Sequence, residues 1–123
     1  MKEMPIAISL DFRKSRIRIH KKTLKMLDFP HSIIMYVNPI DAVIAIKRQP
    51  GFKRDVIKLT YDSDGDCEVY SDKLLSKLAY YVEDCNKEYT YRIIGEMHGS
   101  DAAYFALANA KPLIYGEDEA NGK

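Results

Sequence analysis

The residues whose types and spacing most clearly suggest a chemical function in this sequence are the basic side chains between positions 13 and 25. Seven of these 13 positions hold Lys or Arg: Arg13, Lys14, Arg16, Arg18, Lys21, Lys22 and Lys25. On a β-strand, Arg16 and Arg18 would share one face, with two isoleucines on the other. Such a stripe can neutralise phosphates, which supply much of the affinity of a protein for nucleic acid. Six of these seven are therefore predicted to bind double-stranded DNA: Arg13, Lys14, Arg16, Arg18, Lys21 and Lys22.

The formal net charge of +1 conceals a division of charge along the chain. Residues 1 to 60 hold 13 Lys or Arg against 5 Asp or Glu, a balance of +8, and residues 61 to 123 hold 6 against 13, a balance of −7. The basic half either faces an acidic partner or attracts the acidic half within one fold. The sequence pI of about 7.7 is lower than the value above about 9 that is typical of a nucleic-acid-binding domain.

The acidic stretch "DSDGDCE", residues 62–68, has the alternating aspartates of a calcium-binding loop. An EF-hand loop also requires Gly at its sixth position and a bidentate Glu at its twelfth, and Cys67 and Lys73 stand there. Asp64-Gly65 between two strand-like runs is a strong hairpin signal. This stretch is therefore predicted to be a turn and not a metal site.

The other polar clusters do not predict catalysis. The stretch "GEMHGSD", residues 95–101, contains Glu, His, Ser and Asp, but neighbours on one tight turn cannot converge as a catalytic triad does. His20 and His31 flank the first predicted helix without a carboxylate or Cys at ligand spacing. The sequence has no phosphate-binding loop. The chain is therefore predicted not to be an enzyme and to need no metal or cofactor.

The cysteines and the lengths of the apolar runs indicate the cellular compartment in which the protein is found. Cys67 and Cys85 are 18 residues apart, which matches no metal or redox spacing. No apolar run approaches the roughly 20 residues that span a bilayer. The N-terminal "MKEMPIAISLDF" has an early acidic residue and no small-residue cleavage site, so it is not predicted to be a signal peptide. We expect a cytoplasmic protein with reduced thiols.

An approximate internal duplication is the strongest structural pattern. The run "IAISLDFRKSRIRIHKKTLKML" aligns with "VIKLTYDSDGDCEVYSDKLLSKL", and each predicts a strand, a short turn, a strand and a helix. The helices align at an offset of 51 and the strands before them at 50, which a one-residue bulge or a longer turn would absorb. Two strand-like runs follow each helix, with reversals at Asn38-Pro39 and His98-Gly99. Ser71 is placed to cap the second helix.

The predicted fold is mostly β with two short helices, an α+β fold built from two β-β-α-β-β copies. Copy one covers about residues 5–48, copy two covers about 56–115, and residues 49–55 join them with Pro, Gly and charge. Because a copy of about 50 residues has little core of its own, we expect one compact domain over residues 1–116 with a shared core. The acidic residues 117–123 are predicted to form a flexible tail.

Residues 15–48 resemble a known family, the AbrB/MazE-like swapped-hairpin module of bacterial transition-state regulators and antitoxins. The stretch is "SRIRIHKKTLKMLDFPHSIIMYVNPIDAVIAIKR". It has the family's strand with alternating apolar residues, at Ile17 and Ile19. Its short helix ends in Leu27-Asp28-Phe29, where the family has Leu-Gly-apolar. The final hairpin is matched by residues 33–37 and 43–47.

The resemblance implies both an architecture and a function. In the family, two modules interleave their hairpins into one barrel, and basic residues near the first strand and turn contact DNA. A chain with two such copies is then expected to be a single-chain pseudodimeric swapped-hairpin β-barrel that binds DNA and regulates transcription. Copy two has Asp66, Glu68 and Asp72 in place of the basic residues, so DNA contact is expected from copy one alone.

The tyrosines suggest a different function. Eight of the nine follow residue 60. They either form an aromatic surface for a second copy of the chain or another protein, or they serve β-structure and packing at the edge of the core. The alternative to DNA binding is therefore a protein-interaction or assembly module with oppositely charged halves. No membrane partner is expected. The tyrosines considered for the surface are Tyr70, Tyr80, Tyr81, Tyr89, Tyr91 and Tyr104.

Overall fold

Strands account for most of the regular structure in the computed structural model, which describes residues 5–49 and 56–113. The predicted tail at 117–123 and the junction residues 50–55 lie outside the described residues. The prediction of a mostly β fold with two short helices is confirmed. The elements are β1 (Ala7–Asp11), β2 (Arg16–Ile19), α1 (Lys21–Met26), β3 (Ser32–Asn38), β4 (Val43–Arg48), β5 (Ile57–Lys58), β6 (Cys67–Tyr70), α2 (Asp72–Ala79), β7 (Thr90–Ile94), β8 (Glu96–His98), β9 (Ala102–Ala106), a 3-10 helix (Leu107–Asn109) and β10 (Lys111–Leu113).

The strands of the described residues form two antiparallel sheets of five strands each. The first sheet has the order β10-β7-β1-β2-β6 and the second has the order β5-β3-β4-β9-β8, and neither closes on itself within residues 5–49 and 56–113. Both sheets contain strands from both copies. In the first sheet β1 pairs with β7 and β2 with β6; in the second, β3 pairs with β5 and β4 with β9. Neither copy could therefore form either sheet alone.

One cluster of buried apolar residues joins the two sheets and both helices. Every second side chain on β1 and β2 belongs to it, as the period of two predicts. Burial of one such side chain stabilises the fold by roughly 1.5–3 kcal/mol, so the two copies stabilise each other through a shared core. Fully buried members include Ile8, Leu10, Ile17, Ile19, Leu24, Ile33, Ile44, Ile46, Leu78 and Phe105.

The connection from strand to helix differs between the copies. His20 is the N-cap of α1 and directly follows the buried Ile19, whereas Tyr70 stands between Val69 and the N-cap Ser71 of α2. This extra residue absorbs the change of offset between the aligned strands and helices. The hydroxyl of Ser71 accepts a hydrogen bond from the N–H of Leu74 at 3.1 Å, which confirms the predicted cap.

Part of the predicted turn at residues 95–101 is a strand. Residues 96–98 form β8, which pairs with β9 in the second sheet, while β7 just before it belongs to the first sheet. Gly95 makes this crossing possible. A Cβ at this position would lie 2.4 Å from the ring of Phe105 and 2.4 Å from the carbonyl oxygen of Tyr104. Glycine therefore lets the chain pass from one sheet to the other without a loop.

Helix α1 ends in a tight left-handed turn. The N–H of Asp28 donates to the carbonyl oxygen of Lys25 at 2.9 Å, and the N–H of Phe29 donates to that of Leu24 at 2.8 Å. These are the two bonds of a Schellman motif, in which the residue after the C-cap is left-handed. That residue is Asp28, with φ of 62°, and its Cβ adds a steric cost that glycine would not carry.

We expect Asp28→Gly to raise the free energy of unfolding by about 1 kcal/mol, because it removes this steric cost. Asp28→Ala is the matched control. It also removes the carboxylate, which lies 3.8 Å from the guanidinium of Arg48, but it keeps the Cβ. Urea denaturation followed by circular dichroism compares the three proteins. If the Gly and Ala variants were equally stable, the left-handed backbone at position 28 would not be the cause of the change in the free energy of unfolding.

Candidate functional site

The outer face of the first sheet, which points away from the core, carries most of its charged side chains. One row of cross-strand neighbours runs across all five strands, from Lys111 through Arg92, Ser9 and Arg18 to Glu68. These residues alternate along their strands with buried apolar residues such as Ile17 and Ile93. Arg18 therefore lies in a charged row to which copy two contributes three members, and Arg16 lies on the same face in another row, between Asp11 and Tyr70.

Arg16 and Arg18 hold β2 against β6 through the carboxylate of Glu68, which they share. Glu68 Oε2 accepts a hydrogen bond from Arg16 Nη1 at 2.8 Å and another from Arg18 Nη2. Arg16 Nε donates to Asp11 Oδ2 at 2.9 Å, and Arg18 Nη1 donates to Asp66 Oδ2 at 3.0 Å. We call these five residues the arginine–carboxylate network. In it, three carboxylates neutralise the two arginines of the predicted stripe.

The network favours the charged form of Arg16. Burial acts to lower the pKa of Arg16, but hydrogen bonds to Tyr70 and Asp11 and the charges of Glu68 and Asp11 together raise it above its ordinary value. The side chain of Arg16 is 20% exposed and that of Asp11 is 13% exposed. Solvent therefore screens these contacts less than it screens an ion pair on the open surface.

Asp66 also connects the network to α1. Its Oδ1 accepts a hydrogen bond from the N–H of Lys21 at 2.7 Å, while the N-cap His20 makes no side-chain capping bond. A carboxylate at the N-terminal end of a helix accepts a hydrogen bond from a free N–H, and its negative charge interacts favourably with the positive end of the helix dipole. The hydroxyl of Thr23 donates to the carbonyl oxygen of Ala7 at 2.8 Å and accepts from its N–H at 2.9 Å. Residues of both copies thus hold α1 in place.

Two other predicted DNA-binding residues lie in the turn between β1 and β2. Arg13 and Lys14 are both exposed. Arg13 Nε is 4.0 Å from Glu88 Oε1, and the two side chains are 68% and 78% exposed. A contact of this length and exposure contributes little stability, so these cations remain accessible to a ligand.

The remaining two predicted residues begin α1, at the opposite end of β2. Lys21 is exposed and Lys22 is half-buried. The structure therefore places all six predicted residues on one hairpin and the helix that follows it. It leaves Arg13, Lys14 and Lys21 exposed and engages Arg16 and Arg18 in the arginine–carboxylate network.

Sequence patterns do not point to the contact between Ser9 and His20. Ser9 Oγ lies 2.7 Å from His20 Nε2, because the antiparallel pairing of β1 with β2 brings the two residues together. The distance is that of a nucleophile and its base. However, Ser9 is only 7% exposed, and no hydrogen bond to the other ring nitrogen of His20 is found among the described residues. Since a catalytic histidine is normally oriented by such a bond, the contact favours a structural role.

His20 lies in a positive environment that favours its neutral form. Burial lowers the pKa of His20, the charges of Arg92 and Arg18 lower it further, and Asp66 acts in the opposite direction. Arg92 belongs to β7 of copy two and is opposite Ser9. Its position next to Ser9 depends on pairing between residues more than 80 positions apart, and no local signal in the sequence reports such pairing.

The six tyrosines considered for an aromatic surface differ in exposure. Tyr91 is buried and cannot belong to a surface. Tyr80 is 87% exposed and packs edge to face on Tyr81, with ring centroids 5.7 Å apart. Tyr104 stacks on His98 at 3.9 Å between centroids. Of the other two, Tyr70 is exposed and Tyr89 is half-buried.

Residues 62–66 of the acidic stretch form the predicted turn, and Cys67 and Glu68 begin β6. Asp62 Oδ1 accepts hydrogen bonds from the N–H groups of Asp64 and Asp66 at 2.8 and 3.0 Å, and Gly65 has φ of 88°. Side-chain bonds of this kind from an aspartate stabilise tight turns. In the part of the chain that the structure describes, no group of three or more His, Cys, Asp or Glu side chains is arranged to hold a metal ion.

Both cysteines are free thiols. Cys67 is buried on the inner side of β6, and burial, followed by the charges of Asp62 and Asp66, raises its pKa to about 11. Burial also raises the pKa of the half-buried Cys85, while the charge of Lys87 opposes the shift. Because the thiolate is the reactive form, neither cysteine has the environment of a nucleophile.

Comparison with known proteins gives no match. No family model, curated protein or solved structure matches this chain. No helix within residues 5–49 and 56–113 is both long and apolar enough to cross a membrane. The function must therefore be argued from the charges and contacts of the chain itself.

We expect Glu68→Gln to lower the free energy of unfolding by about 2 kcal/mol, because Arg16 and Arg18 lose the charge that they share. Glu83→Gln is the matched control, since Glu83 is exposed. Its effect should be within about 0.5 kcal/mol. Urea denaturation followed by circular dichroism measures both. If the two variants were equally stable, the network would not be what holds β6 to β2.

We expect His20 to make the protein less stable at mildly acidic pH. The unfolded chain protonates this histidine at its ordinary pKa of 6.5, whereas the folded protein does so only at lower pH. Below that pKa the unfolded state binds more protons, so the free energy of unfolding decreases as the pH falls. His20→Gln should remove this decrease between about pH 6.5 and pH 5.

His31→Gln is the control for this pH dependence, because His31 is exposed and the variant keeps His20. Urea denaturation at a series of pH values across that window compares the three proteins. A pH profile that is the same in the His20→Gln variant as in the parent protein would contradict the assignment to His20.

Proposed function

We propose that this chain is an AbrB-like protein that binds DNA and regulates transcription without catalysing a reaction, and that its two copies form a single-chain pseudodimer. The observation that carries the proposal is the set of exposed cations on the first hairpin and the helix after it. Arg13 and Lys14 lie in the turn and Lys21 begins α1. Exposed cations grouped in this way suit the phosphates of a duplex, which attract Lys and Arg independently of sequence.

Strand pairing across the two copies supports the pseudodimer. β2 pairs with β6, and Arg18 stands opposite Glu68, the residue 50 positions later that aligns with it in the duplication. β1 of copy one pairs with β7 of copy two, and β5 of copy two pairs with β3 of copy one. In the β1–β7 and β5–β3 pairs, the first strand of one copy lies beside the strand that follows the helix of the other copy. This reciprocity is our reason for proposing a swapped-hairpin, barrel-like arrangement.

The chain path after α1 gives further support. The family has Leu-Gly-apolar where this chain has Leu27-Asp28-Phe29. Asp28 and Phe29 have φ of 62° and 46°, a conformation that glycine adopts most easily. The backbone therefore takes the turn that the family's glycine would favour, although the side chain differs.

Phosphate contact is assigned to the exposed cations and not to the whole predicted stripe. Arg16 and Arg18 already bind carboxylates, and moving them towards a phosphate would leave Glu68 without either of its cations. An unpaired, partly buried carboxylate is costly. Arg13 and Lys14 carry no comparable cost, since both are exposed. In this proposal the two arginines of the network support the hairpin that presents the turn to DNA.

We expect the protein to bind a random-sequence duplex at about 50 mM salt, with an affinity that falls steeply as salt rises. Arg13→Ala combined with Lys14→Ala should weaken binding and reduce the slope of log K against log salt by about two, one for each lost phosphate contact. The matched control is Lys73→Ala with Lys77→Ala, which removes two exposed cations from α2. The anisotropy of a labelled duplex measures binding.

Absence of binding at about 50 mM salt, or equal losses in the two double variants, would contradict the proposal. Arg16→Ala and Arg18→Ala are poor tests because both disturb the arginine–carboxylate network. The alternative, a protein-interaction module, is favoured by the 87% exposure of Tyr80. Light scattering would support it if the protein were a dimer that Tyr80→Ser dissociates, and a monomer at every salt concentration would contradict it.

A further inference from the structure

A cleft lies beside β7 and β10, at the edge of the first sheet opposite to β6. Its volume is about 610 Å³, and its lining combines two cations and an amide with three apolar side chains. This volume is typical of sites for small molecules. No carboxylate is among the described residues that line it. The lining residues are Arg92, Ile94, Asn109, Lys111, Pro112 and Leu113.

Arg92 is the cation of this cleft with unmet hydrogen-bonding capacity. Its Nε is buried and has no hydrogen-bond partner, the only side-chain atom of which this is true among the described residues. None of the ion pairs found in that part of the chain includes Arg92. A guanidinium whose Nε has lost water without gaining a partner has more to gain from an anion than one that is fully hydrated on the open surface.

The cross-strand neighbours of Arg92 cannot neutralise it. They are Ser9 on β1 and Lys111 on β10, a neutral side chain and a second cation. Arg18 lies in the same row, on the far side of Ser9, and binds both Glu68 and Asp66. The carboxylates of the outer face are thus gathered around β2 and β6, and within residues 5–49 and 56–113 the positive charge at β7 and β10 has no counterion.

We propose that this cleft binds a small organic oxyanion, a carboxylate or a phosphate monoester attached to an apolar group. The oxyanion lies against Arg92 and Lys111, and the apolar group lies on Ile94, Pro112 and Leu113. The guanidinium offers paired N–H donors that match two oxygens of either anion, and the lysine adds a compact charge. The site does not rest on the proposed DNA binding, because it is built from other residues.

Benzoate, phenyl phosphate and neutral benzamide are suitable probes for the full-length chain. In NMR titrations we expect at least one of the two anions to shift the amide signals of Ile94, Asn109 and Lys111. Benzamide, which has the same ring without the charge, should bind at least about tenfold more weakly. The tighter of the two anions identifies the group that the site prefers. Inorganic phosphate lacks the apolar group and should bind more weakly than phenyl phosphate.

Arg92→Gln should weaken binding of the preferred anion by about tenfold or more. Arg92→Lys keeps the charge without the paired donors and should have an intermediate effect. Arg48→Gln, in the second sheet, is the matched control and should leave affinity unchanged. Thermal unfolding checks that each variant is folded, and Lys111→Gln carries the test if Arg92→Gln is not.

Three results would overturn the proposal. The first is that neither anion binds at concentrations up to about 10 mM. The second is that benzamide binds as tightly as the preferred anion, or that Arg48→Gln weakens binding as much as Arg92→Gln. The third concerns Glu117, Asp118 and Glu119, which lie outside the described residues. If anions bind only when these three are changed to Gln, Asn and Gln, the chain's own carboxylates fill the cleft.

Discussion

The hydrogen bonds that Arg16 and Arg18 donate to Glu68 are the interaction on which one edge of the first sheet depends. β6 is an edge strand of four residues, and β2 is its only full partner among the described strands. β6 leads directly into α2, which contributes two buried leucines to the core. Separating β6 from β2 would therefore also expose the apolar side of α2. One carboxylate that is held by two guanidiniums orders fewer side chains per bond than two isolated ion pairs would, which reduces the entropic cost.

The same bonds explain much of the division of charge along the chain. The balances of +8 and −7 suggest two surfaces of opposite sign, but on the first sheet the arginines of copy one meet the carboxylates of copy two within hydrogen-bonding distance. Attraction within one fold thus accounts for Arg16 and Arg18. Of the six predicted DNA-binding residues, Arg13 and Lys14 in the β1–β2 turn and Lys21 at the start of α1 remain exposed. The formal charge of a stretch of sequence is therefore a poor measure of the field that it presents to a partner.

The features that could be predicted from the sequence are those with local causes. Alternation of side chains determines which face of β1 and β2 is buried, Asp64-Gly65 determines a turn, and Ser71 caps the helix that it precedes. The strand at Glu96–His98 was not predicted, because the crossing at Gly95 depends on the positions of Phe105 and Tyr104 in the other sheet. The site required still more distant information. Strand alternation can place Arg92 on an outer face, but only the pairing of β1 with β7 places it beside Ser9 and near His20.

The positions of Arg92 and Arg18 on either side of Ser9 couple the two ends of the outer face. Both guanidiniums lower the pKa of His20, but among the described residues Arg18 is already bound to carboxylates and Arg92 is not. An anion beside Arg92 would offset part of the positive potential at His20 and raise the pKa of that imidazole towards its ordinary value. By linkage, protonation of His20 would then favour the anion as much as the anion favours the proton. The uncompensated charge of Arg92 would thus link binding in the cleft to the protonation of His20. Because His20 hydrogen-bonds Ser9 and is the N-cap residue of α1, that protonation would also affect the junction between β2 and α1.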